Sequence, residues 1–201
     1  MASFAISKAE NSSVTLDEAK ELRELLIDNP DYDFLAQKLK NKTKLTQKDH
    51  DRLEFFNITK TFRELNSRPF SLEDLTPEFI RDVHKNLTFG LDIFADHLPD
   101  FTVYKSGKWR ENDDIQVGDY QPEPFLQIPK RVSYLISWFK NNLGPTNTAV
   151  FHAALYALHP FNNGNKRVCR ILEHLLLRTC GLNTKNLYSP SYYYHQEKAR
   201  Y

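Results

Sequence analysis

Apolar residues recur three and four positions apart along most of this chain, a spacing that gathers them on one face of a helix and not on the alternating faces of a strand. Leu16, Ala19, Leu22, Leu25 and Leu26 form one such stripe, and Val132, Leu135, Ile136 and Phe139 form another. Six glycines in 201 residues are too few for the tight turns of a sandwich or barrel. The fold class is therefore mainly α, with sheet as a minor part. Thr15-Leu16-Asp17-Glu18 reads as a capping box opening a helix that ends near Asn29-Pro30. Thr76 caps another, with Pro77 at its first position and its end near Asn86. Further helices are predicted from Asp33 to Lys40, Gln47 to Leu65, Pro129 to Asn142, Thr146 to His159 and Lys166 to Cys180. The last two are apolar enough to form the core. Gly181 suits a left-handed helix stop, and Ser189-Pro190 suits the start of a short terminal helix. Phe101 to Val117 breaks the helical pattern and reads as an irregular excursion with a short hairpin.

The length suits a single core. Lys plus Arg number 27 against 26 Asp plus Glu, a net charge of +1, without the basic excess that a nucleic-acid polymer demands. No stretch approaches the roughly 18 apolar residues of a membrane span. The opening residues lack a basic start followed by an apolar run, and the expected setting is cytoplasmic. Cys169 and Cys180 fall in one apolar run; they read as buried thiols, not as a disulfide framework or a zinc site.

One segment stands out between the two core runs. His159-Pro160-Phe161-Asn162-Asn163-Gly164-Asn165-Lys166-Arg167-Val168-Cys169-Arg170 gathers an imidazole, three amides, a glycine and three cations where a turn would suffice. Glycine permits close backbone approach, and a helix start presents outward N–H groups with the positive end of its dipole behind them. Such a composition suits an anion, and phosphate above all. Arg167 and Arg170 sit three apart on one helix and could reach separate oxygens of a polyphosphate, while His159 could face the same space as a general base.

This segment resembles the signature of the Fic/Doc (Fido) family, His-x-Phe-x-Asp/Glu-Gly-Asn-Gly/Lys-Arg-x-x-Arg. Phe79 to Leu87 is similar to the family's helix before the hairpin, and Gly107-Lys108-Trp109-Arg110, Asp114 to Gly118, Tyr120-Gln121-Pro122 and Ile136 to Phe139 to its flap and the helix after it. The likeness runs from about Leu75 to Cys180. It implies a Fic-type helical domain with a small β-hairpin flap, organised as an N-terminal segment (1–30) and a catalytic domain (31–201). It further implies a protein adenylyltransferase that moves AMP from ATP, with Mg2+, onto a Ser, Thr or Tyr hydroxyl of a target protein. His159 would be the base and Phe161 a packing anchor. Gly164, Asn165 and Lys166 would line the phosphate track, with Arg167 on a phosphate and Arg170 on the terminal one. The flap residues Ile115, Gln116 and Val117 would offer the target a strand edge.

Two positions depart from the commonest signature. Asn163 stands where most members carry the magnesium-holding carboxylate, and an amide oxygen brings no charge. Lys166 stands where AMP-transferring members usually have glycine. In the Doc branch lysine at this place accompanies transfer of the terminal phosphate, so a Doc-like kinase is the first alternative. Arg170 and the flap favour the AMP-transferring branch. A non-catalytic nucleotide-binding or interaction module is the second alternative. The stretch from Glu10 to Glu18 resembles the family's inhibitory helix, with Glu10 as the glutamate that would pair with Arg170; Ile6 replaces the expected Ser or Thr. An antitoxin partner and self-association are both compatible with these residues. His152 reads as a structural histidine.

Overall fold

The computed structural model describes residues 2–9, 11–117, 119–182, 184, 190, 191 and 193. Among them the chain forms α1 (Ala2–Ala9), α2 (Leu16–Asp28), α3 (Ala36–Lys40), α4 (Gln47–Ser67), α5 (Pro77–Leu87), α6 (Ile128–Asn141), α7 (Pro145–Leu158) and α8 (Asn165–Thr179), with 3-10 turns at Leu72–Asp74, Leu91–Asp96 and Phe125–Gln127. The fold is mainly helical, as the apolar spacing predicts.

The caps form as the sequence directs. Thr15 accepts from the Glu18 amide while Glu18 accepts from that of Thr15, and Thr46 and Asp49 make the same reciprocal pair at the start of α4. Thr76 caps α5 through the Phe79 amide, with Pro77 in the first turn. Each such cap contributes about 1 kcal/mol. Gly181 closes α8 in the left-handed region, its amide bonding to Arg178 and that of Leu182 to Leu177.

α8 is the centre. Val168, Cys169, Ile171, Leu172, Leu175 and Leu176 are all buried, and α4, α5 and α7 pack around them. The helix is buried nearly all round, its polar Asn165, Arg167, Arg170, Glu173 and His174 included, so those side chains must find partners inside the fold. From α5 come Ile80, Val83 and Leu87, from α6 Val132, Leu135, Ile136 and Phe139, and from α7 Phe151 and Leu155. Truncating a side chain such as Leu172 to alanine costs about 2 to 5 kcal/mol in such a setting. A separate cluster of Leu35, Leu45, Leu53, Leu91, Phe94 and Tyr104 sits over one side of α4.

Three features differ from the sequence reading. Helix α1 has no signal in the apolar spacing, because Phe4-Ala5-Ile6 is too short to show a period, and only the resemblance to the inhibitory segment, with Ile6 and Glu10 at its motif positions, points to a helix here; Ala5 and Ile6 are buried, and Ile6 joins the main core. α3 starts at Ala36, three residues after Asp33, because the Asp33 carboxylate accepts the amides of Leu35 and Ala36 and holds this stretch in a turn ahead of the helix. The hairpin is small. Among the described residues its pairing is a single antiparallel bridge between Val117 and Tyr120. Cys169 is buried while Cys180 is only half-buried, and both are free thiols; burial pushes the Cys169 thiol far above its ordinary range. Ser189 lies outside the described residues. No described helix is long and apolar enough to cross a membrane.

Candidate functional site

The polar segment between α7 and α8 folds as a tight loop from His159 to Gly164. His159 ends α7 in the left-handed region at φ 46°, a conformation costing a non-glycine residue about 1 to 2 kcal/mol. Arg110 holds it there: its Nε donates to the His159 carbonyl at 2.9 Å, and its own amide donates to that of Pro160 at 2.8 Å. The rest of the guanidinium, 2% exposed, donates to the carbonyls of Asn112 and Glu123 and to the Asp113 carboxylate. One planar fork thus joins both ends of the flap to the backbone of the histidine.

The middle of the loop is clamped by Asn165 and His84. The Asn165 amide accepts from the Phe161 N–H at 3.0 Å and donates to the Phe161 carbonyl at 2.8 Å, and Asn165 is buried. His84, buried on α5, bonds through Nε2 to the Asn163 carbonyl at 3.0 Å, while its Nδ1 accepts the Gly107 amide at 3.0 Å. The second bond requires Nδ1 unprotonated, so the imidazole is neutral with its proton on Nε2. Burial pushes its pKa down to about 4, and the charge of Arg167 acts the same way against the Asn163 bond. Phe161 stacks flat on this ring, centroids 3.8 Å apart, and meets Trp109 on another side. Gly164 starts α8 at φ +82°; a Cβ there would stand 3.4 Å from His84 and Thr88, so conformation and space both call for glycine.

The His159 imidazole is also held neutral. Burial is the largest cause, followed by the charge of Arg110 and, more weakly, that of Lys166, and together they bring its pKa to about 4 against a bond toward Tyr156. Beyond it, the first bond inside α8 runs from the Val168 amide to Gly164. The amides of Asn165 and Lys166 therefore have no acceptor within the helix and offer N–H groups at its positive end.

The arginines of α8 lie deeper than the sequence suggests. Arg167 forms an ion pair with Glu54 of α4 at 3.0 Å, both side chains 4% exposed or less, and its cation lies 5.1 Å from the centre of the Tyr104 ring. A further polar chain extends outward: the Tyr104 hydroxyl meets His50 at 3.0 Å, His50 meets Asp51 at 3.2 Å, and Asp51 accepts the Ser13 amide at 2.7 Å. Burial raises the Asp51 carboxyl, but bonds from His50, Ser13 and Gln47 outweigh it and hold it well below the usual carboxylate range. Arg170 is buried, with the carbonyl of Ser191 at 3.5 Å. Glu10 lies outside the described residues. The Asn163 amide oxygen accepts the Gly164 amide at 2.7 Å and faces Arg167 at 3.4 Å.

The flap stands apart from this packing. Val117 exchanges both backbone bonds with Tyr120. Among the described residues the Ile115 and Gln116 amides bond to no other backbone group, and Gln116 is exposed. His152 is structural, paired with Glu173 at 3.1 Å between α7 and α8. Arg110, His84, Glu54 and Tyr104 were not singled out as site residues from sequence. His84 carried a signal, being a polar residue on the Ile80-Val83-Leu87 stripe that had to find partners; Glu54 and Tyr104 carried none.

Compared with known proteins, residues 74–177, just over half of the chain, match the model of the Fic/DOC family. A probable protein adenylyltransferase of Aquifex aeolicus is 24% identical over 136 residues, a match covering 65% of this chain and 39% of that protein. Among solved structures, a Fic domain-containing signalling protein from Bacteroides thetaiotaomicron superposes with a TM-score of 0.62 at 18% identity, covering 90% of this chain and 62% of that one. A Fic family protein from Desulfovibrio desulfuricans gives 0.59 at 19% identity, covering 99% and 54%. The chain thus spans less than two thirds of the length of each of these proteins, and the structural likeness shows the fold.

Proposed function

As this chain belongs to the Fic/DOC family, we propose that it is a protein adenylyltransferase that moves AMP from ATP to a hydroxyl of a target protein. The observation that carries this reading is a neutral His159 whose backbone Arg110 fixes at the start of the loop leading into α8. A neutral imidazole accepts the proton of a Ser, Thr or Tyr hydroxyl as that oxygen attacks the α-phosphorus. The bond from the α-phosphorus to the bridging oxygen breaks, and pyrophosphate leaves with the electron pair. The amides at the α8 start face the developing charge at no cost in reorganisation. Arg167 and Arg170 would add positive charge near the phosphates, that of Arg167 largely offset by its buried ion pair with Glu54.

Magnesium is the family's usual companion of ATP, and the residues here do not fit it as a protein-held ion. The Asn163 oxygen is neutral and already serves two donors. Among the described residues no group of three His, Cys, Asp or Glu side chains could hold a metal. The target segment would pair with the backbone of Ile115 and Gln116, where strand addition needs backbone bonds more than particular side chains.

Lys166 supports a second reading, Doc-like transfer of the terminal phosphate, since its charge is felt at His159 and it occupies the signature position where AMP-transferring members usually carry glycine. The test incubates the protein and candidate targets with ATP labelled on either the α- or the γ-phosphate, with His159→Ala as control. His159-dependent α-label in protein supports adenylyl transfer. γ-Label alone supports the kinase, and neither label, with ATP still bound, supports a binding module. Greater α-labelling by Lys166→Gly would identify lysine as the obstruction.

A further inference from the structure

Away from the signature loop, the 30–35 segment, α4 and the turn after α5 enclose a cavity of about 770 Å³. That volume is in the range of small-molecule sites. Its walls are of two kinds. Phe34 lies at the centre of an aromatic set, edge-on to Tyr32 and to Phe56 with ring centroids 4.9 Å apart in each case. Tyr32, Leu39 and Phe89 reach the rim as exposed apolar side chains, Phe89 at 67% exposure. Such exposure on three converging large residues is a marker of an unfilled binding surface.

The charge of the lining is one-sided. Asp31, Asp33, Glu64 and Asp92 face the cavity against a single cation, Lys60. Lys60 is taken up by Asp31 at 3.0 Å. Asp33 and Asp92 each use one oxygen on backbone amides, which leaves their negative charge in place. The carboxylates are too dispersed to bind a metal: no described group of three could hold one. Dispersed negative charge over aromatic faces suits a larger, softer cation, because ring faces also attract positive charge.

We propose that this cavity binds a small organic cation with an apolar body, an aromatic or alkyl amine. The ring or chain packs against Phe34, Phe56 and Phe89, and the ammonium is drawn to Glu64 and Asp92. Thr88 and Ser106 also line the cavity. Their hydroxyls bond to each other at 2.8 Å, and Thr88 also bonds to the His84 carbonyl and lies in contact range of Gly164. A ligand here therefore sits one side chain away from the glycine that starts α8.

The probe is 2-phenylethylamine, titrated into the full chain and followed by backbone amide NMR, with phenylacetate and benzyl alcohol as anionic and neutral analogues. Saturable shifts centred on Asn57, Phe89 and Gly90, produced by the amine and by neither analogue, are expected. Glu64→Lys and Phe89→Ala, both at exposed positions, should each weaken binding about fivefold or more. Equal binding of phenylacetate or benzyl alcohol, shifts located elsewhere, or unchanged affinity in both variants would overturn the proposal. The readout is binding alone, so it stands or falls apart from adenylyl transfer.

Discussion

The loop from His159 to Gly164 and the flap from Glu111 to Gln121 are neighbours joined by Arg110, yet they are built in opposite ways. In the loop, Asn165, His84 and Arg110 each spend two or more hydrogen bonds on backbone groups, and all three are buried. In the flap, pairing among the described residues amounts to one bridge. The loop is preorganised, and the flap, among the described residues, has few backbone bonds of its own. Preorganised donors stabilise a transition state without moving, whereas an open strand edge binds many sequences through the same backbone groups.

The strongest way to break this contrast is at Glu54. Glu54→Gln leaves the Arg167 guanidinium buried without its carboxylate, a change that costs about 3 to 5 kcal/mol in comparable settings. Urea denaturation should show the loss as a lower midpoint at unchanged slope. A loss below about 1 kcal/mol would show that Arg167 has another sufficient partner, and that the loop's rigidity does not depend on α4.

Acid should loosen the loop before it touches the carboxylates. The folded pKa of His84, about 4, lies below the ordinary imidazole value of 6.5. As pH falls the unfolded chain therefore takes up the proton first. This contribution is complete above 6.5 and is lost progressively between 6.5 and 4, by on the order of 3 kcal/mol. His159, shifted the same way but more exposed, adds a smaller part. The lowered carboxylates, such as Glu18 at about 2, lose theirs only below about 4.5. Stability measured from pH 7.5 to 4 should therefore slope downward in the parent and flatten markedly in His84→Asn. The same slope in both would remove His84 as the cause.

Arg110→Lys keeps the charge and removes the fork. It should cost about 2 kcal/mol, from several lost backbone bonds in a buried site, and lower His159-dependent labelling at least tenfold through a misplaced imidazole. Full labelling with reduced stability would show that the flap anchor and the histidine are separable.

The two regions also differ in how far the sequence discloses them. Helices α2, α4, α5, α6, α7 and α8 were legible because apolar spacing and caps act within a few residues, as at Thr15-Glu18 and Thr76-Pro77. The signature loop stood out by its composition. What holds it did not: His84 lies 79 positions from Asn163 and Glu54 113 positions from Arg167, and no local pattern pairs residues so far apart. The depth of Arg167 and Arg170 was missed for a related reason. Basic residues are ordinarily exposed, and only a distant carboxylate such as Glu54 makes burial of Arg167 affordable.

The smallest expected effect on stability belongs to the flap, and it sharpens the contrast most directly. Gln116 is exposed and its amide bonds to no other backbone group among the described residues. Gln116→Ala changes only the side chain and should leave stability within about 0.5 kcal/mol and labelling nearly unchanged. Gln116→Pro removes the N–H that a paired target segment would use. If the flap recognises its target through the backbone, this variant should keep nearly the parent's melting temperature and ATP binding while losing most target labelling. A fall in melting temperature as large as that of Arg110→Lys would instead place the flap in the folded scaffold, and the division between a preorganised loop and an open edge would fail at that residue.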